Sequence, residues 1–138
     1  MDANGRGVPQ DYLEAARWYQ LAADQGNARA QDNLGVRHVL GDGVPQDDVQ
    51  AVRLYRLAAD QGHARAQFNL GLMYGAGEGV PQDYVEAHLW FNLSAAQSSG
   101  EDRERAVKAR DIVAGGMTAG QVAEAQRRAR EWTPTPEP

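Results

Sequence analysis

The sequence predicts an all-α fold, a solenoid of antiparallel helix pairs with about seven helices. Three observations lead there. Gly-Val-Pro-Gln-Asp returns at 7–11, 43–47 and 79–83, a period of 36, and residues 7–42 laid over 43–78 give about 22 identities. The chain of 138 residues holds 23 Ala and 15 Gly but only 24 Leu, Ile, Val and Phe. Its core must therefore be assembled from small residues and a few aromatics, as closely stacked helices require. Finally, each period carries start and stop signals for two helices.

The first predicted helix spans about 12–25. Asp11 follows a proline and stands three residues before Glu14, an Asp-led version of the capping box that Asp47/Gln50 and Asp83/Glu86 repeat. Leu13, Ala16, Tyr19 and Ala23 recur at helical spacing, with Trp18 and Ala22 beside them, giving a wide apolar stripe. Gly26 and Gly62 supply the left-handed residue that ends a helix. Asn27 or His63 then opens the next one, over roughly 28–40 and 64–76. So short a link leaves room only for an antiparallel partner. The third copy keeps Tyr84, Glu86, Ala87, Trp90, Leu93 and Ala95, then diverges after Gln97 as at the end of an array. Ser99, three before Asp102, opens a helix to about Ala114. Gly115-Gly116 break it, and Thr118 with Gln121 begins a last helix to about Trp132. The repeat frames are thus 7–42, 43–78 and 79–114, with capping helices at about 100–114 and 118–132 in one domain over 1–132. The alternating prolines of 133–138 predict an extended, mobile tail.

Composition excludes several classes of chemistry. With no Cys there is no disulfide framework, thiolate zinc site or cysteine nucleophile. The net charge of −5 without basic blocks argues against nucleic acid. No apolar run approaches the roughly 20 residues of a membrane span. Met1 to Gly5 lack signal-peptide regions, so the sequence as written reads as soluble and favours the cytoplasm, or the periplasm or exterior if an N-terminal segment precedes it. His38, His63 and His88 fall at three different places in the repeat and take structural or surface roles; no metal or cofactor is expected. Gly75 to Gly79 reads as a turn rather than a phosphate loop, because neither a preceding strand nor Gly-Lys-Ser/Thr accompanies it. Asp42, Asp47 and Asp48 do not follow a calcium-loop order. Arg127, Arg128 and Arg130 suit the negative end of the last helix dipole. No Ser/His/acid set has motif context, so no catalytic residue is assigned.

Ala64-x-Ala-Gln-x-Asn-Leu-Gly71, Met73-Tyr74, Gly77-x-Gly-Val-Pro-Gln-Asp83 and the stretch from Trp18 to Gly26 together resemble the Sel1-like repeat family, over about residues 5–100. The segment from Met117 to Trp132 is similar to the capping pair after the last repeat of bacterial members. The resemblance implies a right-handed superhelical solenoid, related to the tetratricopeptide repeat, that serves as a non-enzymatic adaptor or scaffold for a protein or peptide. This chain departs from the disulfide-rich secreted branch, which puts carry-over from that branch aside. It also implies that the first helix of each pair lines the concave surface. The candidate contacts are then Arg29, Asp32, Asn33, Val36 and Arg37, and one period on Arg65, Phe68, Asn69, Leu72 and Met73. By analogy with tetratricopeptide relatives, Asn33 and Asn69 would bond a peptide backbone while Arg pairs with a carboxylate. The competing reading makes the Asn pair structural and places Phe68 and Met73 in the core. Residues 1–6 are too few to form the partner the repeat frame demands for the first helix. Two readings follow: a fragment of a longer array, or a homodimer through that open helix, with Leu13 and Tyr19 as contacts.

Overall fold

The computed structural model describes residues 9–136. Its seven helices are α1 (Pro9–Asp24), α2 (Ala28–Leu40), α3 (Asp48–Asp60), α4 (Ala64–Ala76), α5 (Tyr84–Ala96), α6 (Gly100–Ala114) and α7 (Ala119–Glu131), and no strand occurs among the described residues. Each helix from α1 to α6 packs on the next, and α7 returns to α5. The expectations for residues 1–8, including the first two of the opening motif copy, and for 137–138 lie outside the described residues.

Local chemistry sets the boundaries. Asn27, Asp47 and Asp83 accept from the backbone N–H three residues on, and Thr118 with Gln121 forms a complete capping box. Gly26 and Gly62 are left-handed, at φ 89° and 92°. Three capping expectations need correction. Asp11 lies in the first turn of α1 rather than ahead of it. At Asp47 and Asp83 the capping residue's own N–H donates to His38 O (2.9 Å) and Tyr74 O (3.0 Å), so Gln50 and Glu86 need not reach back. They bond Arg53 and Trp90 instead. Ser99 occupies the cap position of α6 without a side-chain bond.

The core is small-residue packing around a few rings. Ala51, Ala58, Ala59, Ala66 and Ala87 are fully buried, with Leu70, Tyr55, Trp90 and Phe91 between them. Helices approach closely at Gly71, where an added Cβ would sit 2.6 Å from Cε1 of Phe91; Gly35 receives the ring of Tyr55 in the same way. On α1 the expected apolar stripe is open at two of its six positions. Ala16 and Ala23 are buried and Tyr19 and Ala22 half-buried against the core, but Leu13 and Trp18 are exposed, since no described helix packs over them. Beyond α7 the backbone of Thr135 donates to Asp60 O, so the tail, read as mobile, is tied to the end of α3 at that point.

Candidate functional site

Helices α2, α4 and α6 repeat the same register. Residues 29, 33, 36 and 40 share one face of α2, as 65, 69, 72 and 76 do on α4 and 101, 105, 108 and 112 on α6. Arg29 and Arg65 are exposed at the N-terminal end of this face, and Asn33 and Asn69 are half-buried beside them. Val36 packs partly into the core. At the C-terminal end stand exposed aliphatics: Leu40 at 61%, Leu72 at 45% and Ile112 at 70%. Leu72 and Ile112 wall a cavity of about 410 Å³ with Tyr84, Phe91 and Val113, so that α4, α5 and α6 all contribute. A larger depression of about 740 Å³ is formed by α6 alone and lies along its outer side.

The candidates divide into three groups. One is a clasp between repeats. The fully buried Asp32 carboxylate accepts from Arg65 Nε and, at 3.0 Å, from Asn69 Nδ2. Arg65 Nη2 also donates to Asn33 Oδ1 at 2.6 Å, and His63 Nε2 lies 3.7 Å from the carboxylate. Burial alone would push the Asp32 carboxyl up, but the contacts from His63, Arg65 and Asn69 outweigh it and hold the pKa below the ordinary value. The carboxylate expected from a partner is therefore supplied at Arg65 by the chain's own Asp32.

A second group faces inward. Met73, expected on the concave surface, is 6% exposed and part of the core. At the equivalent place Arg37 lies 5.2 Å over the Tyr12 ring and 5.7 Å over Tyr19. One residue past Val36 or Leu72, this register has turned about 100° toward the preceding helix. The contrast between Arg37 and Met73 thus reflects packing. Phe68, where the preceding repeat has Asp32, stacks obliquely on Phe91 at 5.5 Å and 49° and edges a cavity of about 110 Å³. No clasp can form there, since α6 offers Glu101 and Arg105 at the places of Arg65 and Asn69. The third group, Arg29 and Leu72, stays exposed on the face, with Val36 half-buried between the face and the core.

The sequence reading missed Leu40, Ile112 and the other walls of the Leu72 cavity. Their signal was register: 40 continues 29, 33 and 36, and 112 occupies the place of 40 two periods on. Among the described residues no group of three or more His, Asp or Glu is placed to hold a metal. No helix there is long and apolar enough to cross a membrane.

Stacked helix pairs with a shared face define a helical-repeat solenoid. The Sel1 repeat signature matches residues 3–27, 28–63 and 64–99, and the chain belongs to the Sel1 repeat family. Sel1 repeats are generally non-enzymatic protein-interaction scaffolds. Among solved structures, the fold is similar to a protective antigen of uropathogenic Escherichia coli that displays an SLR fold, with a TM-score of 0.85 and 33% identity over 91% of this chain. It is also similar to a Sel1 repeat protein from Oxalobacter formigenes, with a TM-score of 0.62 and 28% identity over 87% of the chain. The chain spans 26% of the first neighbour's length and 62% of the second's. A search of curated proteins returned no match.

Proposed function

We propose that this chain is a protein-binding module that captures a segment of a partner on the shared face of α2, α4 and α6. The observation that carries this reading is the apolar cavity between Leu72 and Ile112. It opens on a face whose other end is polar, so one apolar side chain of a partner would anchor there while Arg29 meets polar or acidic groups further along. Asn33, Arg65 and Asn69 contribute chiefly by fixing the spacing of α2 and α4, which preorganises the face.

The test is selection of peptides from a random phage library on the folded chain. Clones retained by the wild type should be lost on Leu72→Glu and on Ile112→Glu, both exposed positions whose substitution should leave the chain folded. Full retention by both folded variants would reject the site.

A further inference from the structure

His88 on α5 is 3% exposed, and its Nδ1 has no hydrogen-bond partner. Packing alone does not call for a histidine there, since one period earlier the same place holds Val52, buried at 7%. Residues 84, 88 and 91 follow one stripe of α5, so His88 stands between Tyr84 and Phe91, the two α5 walls of the Leu72 cavity. The walls opposite, Ala109, Ile112 and Val113, belong to α6. That helix also brings charge to the joint. Arg110 Nη1 donates at 3.0 Å to Asn92 Oδ1, one turn beyond His88, and Arg110 Nε and Nη2 reach Asp111 Oδ1 at 3.2 Å. Charged and titratable groups of the other helices packed on α5 are engaged elsewhere. On α4, Arg65 bonds Asp32 and Asn33, and Tyr74 accepts from Arg56; on α7, Arg128 bonds Glu86 and Arg127 bonds Glu131. Burial, then the Arg110 charge, hold the His88 imidazole below its ordinary 6.5, against a smaller opposing pull from Asp111.

We propose that His88 makes this cavity acid-sensitive: on taking a proton it parts α6 from α5, and the cavity walls separate. What is released depends on the binding reading above; the opening depends only on the joint. An imidazolium donates from both ring nitrogens, and Nδ1 has nothing to donate to, while Arg110 bridges the same joint with a like charge. Hydrating the ring requires α6 to lift. The closed joint favours the neutral ring, so it is fully held above 6.5 and weakens as pH falls below that value. With an ordinary histidine in the open state and a neutral one in the closed state, a change from about pH 7.5 to about pH 5.5 raises the opening equilibrium up to about tenfold.

Hydrogen exchange of the full chain, expressed as protection factors so that the intrinsic pH dependence cancels, reads the opening of α6. Protection across α6 should fall by up to about tenfold between those two pH values. His88→Met, which fills the place with an apolar side chain, should abolish the fall. Arg110→Met, by easing protonation of His88 within the closed joint, should reduce it. His38 and His63 lie outside α5 and α6 and stay in every variant, so the differences isolate His88. Equal protection of the wild type at both pH values would overturn the proposal, and so would an undiminished fall in both variants. Should His88→Met not fold, an undiminished fall in Arg110→Met suffices to overturn it. A phage-selected peptide held in the cavity should leave the wild type faster at the lower pH and leave His88→Met at one rate. Exchange as expected, with no peptide held at either pH, would overturn the binding reading alone.

Discussion

Removing the Asp32 carboxylate should weaken the joint between the first two repeats by an amount that follows from its contacts. Asp32→Ala deletes two hydrogen bonds to a charged group, from Arg65 and Asn69. At about 1.5–3 kcal/mol each, they set an upper bound of about 3–6 kcal/mol. Two effects reduce it. The Arg65 side chain is 58% exposed, so the freed guanidinium returns to water, and the variant no longer buries an ion. About 2–3 kcal/mol remains. For 138 residues the unfolding entropy is about 0.29 kcal/mol/K, so the melting temperature should fall by about 7–10 °C. In a double-mutant cycle with Arg65→Met, which keeps the aliphatic stem, the pair should couple by about 1 kcal/mol or more. pH supplies a signed check through Asp32→Asn. The native carboxyl is held below its ordinary 3.8, so its stabilisation is complete above that value and is lost as pH falls through the native pKa. The gap between wild type and Asp32→Asn should therefore close below about pH 4. Thermal and urea melts measure both. A variant within about 0.5 kcal/mol of wild type, additive with Arg65→Met, would refute the clasp.

Gly71→Ala should destabilise by about 1–2 kcal/mol despite the roughly 1 kcal/mol that Ala gains in a helix, because its Cβ meets the buried Phe91 ring. Gly75→Ala on the same helix, with nothing nearer than 3.8 Å, should instead be neutral or stabilising in the same melts. Thr118→Ala removes half of the capping box and should cost about 1 kcal/mol, with hydrogen exchange accelerating in the first turn of α7. Leu72→Glu and Ile112→Glu should each weaken a selected peptide by roughly ten- to a hundredfold in calorimetry, the worth of one buried aliphatic contact.

The elements were legible because their signals are local. Asn27, Asp47, Asp83 and Thr118 each cap a helix from within three residues, and the predicted spans 28–40 and 64–76 coincide with α2 and α4. Burial was less legible, because one apolar register has different fates at different points of a stack. Trp18, Leu54 and Trp90 stand at one place in the repeat, yet Trp18 is exposed, since no described helix packs over it. The clasp was hidden for a related reason. Asp32 meets Arg65 and Asn69 across 33 and 37 residues, close to one period, so constant Arg and Asn beside a varying acid looked like ligand contacts. The Leu72 and Ile112 cavity depends on how α6 packs against α5, where the repeat pattern has already diverged.

The binding face can be tested directly by backbone NMR of the labelled chain titrated with a phage-selected peptide. The largest shift changes should fall on Leu72, Ala76, Ile112 and Val113, diminishing along α4 and α2 toward Arg65 and Arg29. Changes confined to α1, α3 and α7, with the α4 and α6 resonances unmoved, would contradict the account.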